Sequence, residues 1–356
     1  MTGQKNTKSN SSAKTSNLTP MLDNESDDDV LVDYTQDLAL RSRKTSRLKR
    51  KLDRKAKKEA TKPQLLSLTP ELLLDILSQL KPTDIIRFQQ TCKLSHAFVQ
   101  HHETSLVKAV ISHRYSVLSR CFPRPIQLKD VDPHHHPALL HQRRQKLLSI
   151  HRKPYSHVAH HDPALLCSCI TCIMAWNNLC LIVDLAHWTA TALSKRQPIP
   201  MIPRGENPPW NVELVESHAV VVRRALASPL WYALILQRHL QTTIFGIRRY
   251  ATKGEVPDFE LDDEDVVRET DEFCARSGSP SYEFPITRDT YYGLKTYLPN
   301  RLWDTNEGYW KYQPPDQHFR DLKWVQDMAD KEREKGAQGP RDLEDKDKVA
   351  GELRVP

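Results

Sequence analysis

Leu68-Thr69-Pro70-Glu71-Leu72-Leu73-Leu74-Asp75-Ile76-Leu77-Ser78-Gln79-Leu80, followed by Pro82 and by Asp84-Ile85-Ile86-Arg87-Phe88, is the stretch on which the reading of this chain turns. Leu72, Leu73, Ile76, Leu77 and Leu80 recur at three- and four-residue intervals, which gathers them on one helical face. Pro70 stands near the helix start, where its missing N–H does no harm, and Lys81-Pro82 ends the helix. Thr83-Asp84 can cap a second short helix carrying Ile85, Ile86 and Phe88. Cys92 to Gln100 supply a third, with Leu94, Ala97, Phe98 and Val99. Three short amphipathic helices within about 35 residues bury no core of their own. Their apolar face is therefore expected to be completed by a partner.

Downstream, the periodicity stays helical. Glu103–Arg120 is apolar-periodic and stops at Pro123, and Pro137–His151 is a weaker helix. Asp162-Pro163 reads as a cap with proline at the first helical position, opening a long apolar helix to about Leu193. Lys195–Trp210 is a proline-rich loop; Trp210–Leu226 and Ser228-Pro229 to about Arg249 are two more helices. A helix is expected from Asp258–Asp265 to Ala275, an irregular aromatic segment over Tyr282–Pro314, and a last helix over His318–Glu334. No repeat of solenoid period is visible. The fold class is all-α, divided as an acidic then basic disordered tail at 1–60, a three-helix unit at 61–102, a helical domain at 103–335 and a charged tail at 336–356.

Composition narrows the function classes. Only 10 glycines against 24 prolines, with no P-loop and no G-x-G-x-x-G, leave a nucleotide-driven enzyme without its phosphate cradle. The net charge of +7 is local: residues 41–58 hold eleven Lys or Arg against the single Asp53, a net +10, which leaves the rest of the chain at −3. That argues against a nucleic-acid-binding globular surface and toward a basic arm suited to an import receptor. Met1–Thr19 lacks the apolar core of a signal peptide, so the seven cysteines are expected as reduced thiols in a nuclear or cytoplasmic protein.

The opening stretch, continued through Thr91-Cys92-Lys93, resembles an F-box. Its pattern is Leu-Pro-x-Glu-Leu, an Ile-Leu pair, Asp-Leu and Val-Cys-Lys; Thr69 and Thr91 stand where the family usually has proline and valine. The resemblance implies an adaptor that binds a Skp1-type protein, and through it a cullin, and recruits a protein target for ubiquitin transfer. It implies no catalytic residue and no cofactor in this chain. The candidate partner-binding residues are Leu68, Pro70, Leu73, Ile76, Leu77, Leu80, Ile85 and Phe88, with Asp84 as a cap and Cys92 as a small buried group. More loosely, Cys167-Ser168-Cys169-Ile170-Thr171-Cys172 with Trp176-Asn177-Asn178-Leu179, and Arg301-Leu302-Trp303-Asp304 with Trp310, resemble helical regions of fungal F-box proteins.

Three further features bear on function. Cys167, Cys169, Cys172 and Cys180, with His157, His160 and His161 upstream, have ligand chemistry for zinc. In one helix Cys167 and Cys180 would lie about 20 Å apart, which reduces the candidate set to Cys169, Cys172, His160 and His161; buried structural thiols are the competing reading. Ala164–Val183 is twenty residues without a charge, yet Asn177-Asn178 near its middle favours a buried core helix over a membrane span. The C-terminal aromatics Trp303, Tyr309, Trp310, Tyr312 and Trp324 fit core packing or, more sharply, target recognition. The rival to the adaptor is a nuclear nucleic-acid-associated scaffold using 41–58 as a phosphate-binding arm.

Overall fold

The computed structural model describes residues 43–60, 65–149, 158–202, 206–254, 259–278 and 298–337. The chain divides into two units, Met1–Pro63 and Gln64–Pro356. In the first, α1 (Arg43–Ala60) is helical, which corrects the expectation of disorder for the last 18 residues of 1–60. The physical reason is plain in the residues: the run is mostly Lys, Arg, Leu and Ala, strong helix formers, with no Gly or Pro. Residues 1–42 and 338–356, which hold most of both expected tails, lie outside the described residues, as does His157.

The second unit is built from α2 (Pro70–Ser78), α3 (Pro82–Gln89), α4 (Lys93–Arg114), α5 (Ser116–Cys121), α6 (His136–Leu139), α7 (Gln142–Ser149), α8 (Ile170–Thr191), α9 (Pro209–Ala227), α10 (Pro229–Thr252), α11 (Asp263–Arg268), α12 (Phe273–Arg276) and α13 (Gln317–Ala337). Between the last two helices lies a hairpin, β1 (Arg301–Asp304) and β2 (Tyr309–Tyr312). The all-α reading holds, with this one small sheet added inside the segment expected to be irregular. Its turn has a local cause. Asp304 Oδ1 accepts from the amides of Asn306 (2.8 Å) and Glu307 (3.1 Å), and Gly308 takes the left-handed φ of +67° that closes the loop.

α8 is the central helix. It packs against α9 and α10, and its buried side chains run from Cys172 to Trp188. Two polar residues on it are buried with partners. The Asn178 amide donates to Leu298 O (2.8 Å) and its carbonyl accepts from Leu298 N (2.9 Å), while Asp184 lies 3.3 Å from His218 of α9. Its length and hydropathy would allow a membrane span, but most of that window is buried inside this chain. The start of the helix differs from expectation. Asp162 caps only a turn, accepting from Ala164 N (2.9 Å), and Cys169 is the true N-cap, accepting from Cys172 N (3.4 Å). Residues 163–168 are therefore non-helical, with Leu166 bridged to Gln127.

The expected boundary at 102/103 falls inside α4, which runs unbroken from Lys93 to Arg114. The three N-terminal helices are sealed to the rest of the unit along that helix and α10. Glu103 Oε1 accepts from Ser228 Oγ and from Leu230 N (2.9 Å), capping α10; Gln237 of α10 exchanges hydrogen bonds with Thr83 (3.1 and 3.0 Å). Lys81 pairs with Glu269, and Arg114 donates to both Gln79 O and Arg268 O (2.6 Å each).

Candidate functional site

The sequence assigned one apolar face to α2; the structure gives it two. In an α-helix neighbouring residues point about 100° apart, so the pairs Leu73/Leu77 and Leu72/Ile76 look in different directions. Leu73 and Leu77 face inward with Ile85 of α3 and Val99, Leu106 and Val110 of α4, all within one buried cluster. Leu77 and Ile85 are fully buried, whereas Leu72 is 53 % and Ile76 42 % exposed. Leu65 and Leu66, in the 3-10 turn preceding α2, are exposed as well, and so is Leu94 in the first turn of α4, at 71 %. Large apolar side chains are therefore left exposed on the turn before α2, on α2 and at the start of α4, where polar residues are the norm.

The eight predicted contact residues divide accordingly. Pro70 and Ile76 lie on the exposed side and Leu68 is half-buried. Leu80 and Phe88 are half-buried against the chain's own core. Leu73, Leu77 and Ile85 are interior residues, out of reach of a partner in this arrangement. That part of the expectation is corrected: their face is completed by α4 and α10 instead of by another protein. Leu72, Leu65, Leu66 and Leu94 are exposed residues not in the predicted set.

The polar positions of the motif are helix-end devices. Thr69 and Lys81 are the N-caps of α2 and α3, each followed by proline at N1. Asp84 is not a cap; it lies in the first turn of α3, where a carboxylate suits the helix dipole, and pairs with Arg87 at 3.1 Å. Cys92 is exposed instead of buried. It caps α4 reciprocally with Ser95: its sulfur accepts from Ser95 N (3.4 Å) and its amide donates to Ser95 Oγ (3.2 Å). Hydrogen bonding of the sulfur to the Ser95 hydroxyl (3.5 Å), and next to the Ser95 amide, holds the Cys92 thiol below its ordinary pKa.

The C-terminal aromatics part company. Trp310 is buried with the Arg301 guanidinium 3.7 Å over its ring, whereas Tyr309 and Trp324 are exposed. A cavity of about 680 Å³ opens beside the hairpin, lined among others by Arg120, Arg124, Tyr309, Lys311, Tyr312 and His318. Arg120 stacks on Tyr312 at 4.3 Å. Behind it, Cys169 and Cys172 do come together, but with Cys167 and His318; neither His160 nor His161 belongs to the group. The non-helical 163–168 segment brings Cys167 in, and no local signal could have found His318, 146 residues beyond Cys172.

No curated protein and no solved structure matches the chain. The family model for the F-box domain matches residues 65–104, from the 3-10 turn through the first half of α4. Residues 65–104 of this chain are an F-box domain.

Proposed function

We propose that the chain is the non-catalytic receptor subunit of a cullin–RING ubiquitin ligase, docking on a Skp1-type protein through the outer face of its F-box. An F-box domain carries a general role in substrate recognition by SCF-type ubiquitin ligases. The observation that supports the finer reading is the exposed apolar set Leu65, Leu66, Leu72, Ile76 and Leu94 on that domain. Fully burying an exposed leucine or isoleucine contributes roughly 1.5–3 kcal/mol; these five are 37 % to 71 % exposed, so covering them supplies roughly half of that apiece, which meets the lower end of association costs of about 4–15 kcal/mol. The sealed inner face serves a different end: it ties the docking helices rigidly to the body that presents the target. The 680 Å³ cavity, basic and aromatic, is the seat we assign to a protein target. Proximity is then the chain's contribution to catalysis, raising the local concentration of target lysines at the charged conjugating enzyme.

Co-expression with Skp1 tests the docking face. The double variant Leu72→Asp, Ile76→Asp is expected to lose at least about a hundredfold in affinity while keeping the helical signal of the wild type, because both side chains already stand in solvent. Equal binding by the variant, or no co-purification by the wild type, ends the proposal.

The basic helix α1 is the element through which import into the nucleus, or contact with a phosphate backbone, would run. Deleting residues 1–60 is expected to abolish any salt-sensitive retention on DNA or RNA and to leave Skp1 capture unchanged. Loss of Skp1 capture on that deletion would move the docking function out of the F-box.

A further inference from the structure

Cys167, Cys169, Cys172 and His318 are all buried, and their ligand atoms all lie within 4.8 Å of one another. All three cysteines are free thiols. His318 Nδ1 is 3.4 Å from Cys169 Sγ and 3.5 Å from Cys172 Sγ. A tetrahedral zinc ion with bonds of about 2.3 Å to sulfur and 2.0–2.1 Å to nitrogen sets its ligands about 3.6 Å (S to N) and 3.8 Å (S to S) apart. The two sulfur-to-nitrogen separations lie close to that edge length, and the other four are no longer than 4.8 Å. A hydrogen bond explains them less well. Nδ1 has one proton or one lone pair to share, and it stands equally near two sulfurs with the third beside them.

The surroundings are built for thiolates. Each sulfur accepts one backbone amide at 3.4 Å: Cys167 from Cys169 N, Cys169 from Cys172 N, and Cys172 from Ile126 N. Cys169 and Cys172 stand at the N-terminus of the 22-residue α8, where the helix dipole favours negative charge. Arg144 donates to Ser168 O, inside the loop that joins the first two cysteines, and its cation offsets the one negative charge left by three thiolates around a dication. The fourth ligand arrives on α13, and the approach is fixed independently: Asp321 Oδ2 accepts from both Thr171 N (2.8 Å) and Thr171 Oγ1 (2.7 Å). Around these residues only a small second core forms, from Leu128, Val131, Leu139, Leu322 and Val325.

We propose that these four residues bind one zinc ion as a structural Cys3His site that fastens α13 to the N-terminus of α8. Four protein ligands and full burial leave no open coordination position, which makes the site structural and not catalytic. The ion cross-links positions 146 residues apart and fixes the wall of the 680 Å³ cavity to which Cys172, Gln317 and His318 belong.

The test uses the full chain, produced in zinc-supplemented medium and measured by elemental analysis. About one zinc per chain is expected. His318→Ala and Cys169→Ser should each hold about tenfold less or lower, and should expose α13 to protease. His318→Cys, which keeps four soft ligands, should retain the metal, as should Cys92→Ser, whose thiol lies outside the group. Cobalt loaded into reduced protein should show the visible bands and sulfur charge-transfer band of tetrahedral thiolate coordination. Folded wild-type protein with neither zinc nor those cobalt bands would overturn the proposal, as would unchanged zinc content in both ligand-loss variants or a disulfide between two of the three cysteines.

Discussion

Replacing Leu77 with aspartate is expected to unfold the second unit, while the same change one residue earlier, Ile76→Asp, leaves its thermal transition within a few degrees of wild type. Leu77 is fully buried among Leu73, Ile85 and Val99. Truncating such a leucine to alanine costs about 2–5 kcal/mol through lost burial and the cavity left behind. Aspartate adds an unpaired carboxylate in an apolar site, several kcal/mol more unless it binds a proton. Together these approach the whole of a typical domain's stability, about 5–15 kcal/mol. Ile76 has no such environment; its side chain already meets water. Circular dichroism melts and the soluble fraction of each variant measure the difference. A stable Leu77→Asp protein beside an unfolded Ile76→Asp protein would reverse the register of α2, and with it the choice of docking face.

That contrast also shows where sequence reading stopped. The existence of α2, α3 and α10 follows from three- and four-residue spacing, and the starts of α2 and α10 from prolines at N1, all local signals that the structure bears out; α3 begins instead at Pro82 behind Lys81, ahead of the expected Thr83-Asp84 cap. Which side of α2 is inner does not follow. Leu72, Leu73, Ile76, Leu77 and Leu80 are apolar on two faces, and only the presence of α4 across one of them decides the matter. The same limit hid half of the metal-ligand group. Cys169 and Cys172 are one turn apart and legible, but Cys167 needed the helix to begin at Ile170, and His318 needed the tertiary fold. The hairpin was missed for a smaller reason: a single glycine, Gly308, in an aromatic run gives little warning of a turn.

The second large effect concerns Asp271, a buried carboxylate that works at a distance. Its Oδ2 accepts from Val117 N (2.8 Å) and Leu118 N (2.7 Å), so it caps α5 from a segment more than 150 residues away. Asp271→Ala leaves two buried amides without an acceptor, at about 1–3 kcal/mol each. The pH dependence is more specific. Burial pushes the Asp271 carboxyl up to about 7 from an ordinary 3.8, outweighing the two amides and Arg120. Burial pushes His239, on α10, the other way, from 6.5 to about 3. Stability follows the difference in bound protons between the two states. Between about pH 4 and 7 the folded chain keeps a proton on Asp271 that the unfolded chain has lost, so this residue's contribution falls as pH rises. Between about pH 3 and 6.5 the unfolded chain holds a proton on His239 that the folded chain lacks, so that contribution rises. Over the shared window the two slopes oppose each other.

Asp271→Asn keeps an acceptor for both amides and removes one of the two titrations. Each tenfold difference in proton affinity between the folded and unfolded chain corresponds to about 1.36 kcal/mol, so the stability of the variant relative to wild type is expected to grow by roughly 4 kcal/mol from pH 4 to pH 7. Urea unfolding of both proteins at several pH values in that range reads it directly, and the subtraction cancels every other titrating group. A difference that stays flat would mean that Asp271 is ionised in the fold throughout, held so by its two amides. In that case any remaining slope would have the opposite sign and be confined to the acid end near pH 4, and α5 would be anchored by a charge instead of by a neutral acid.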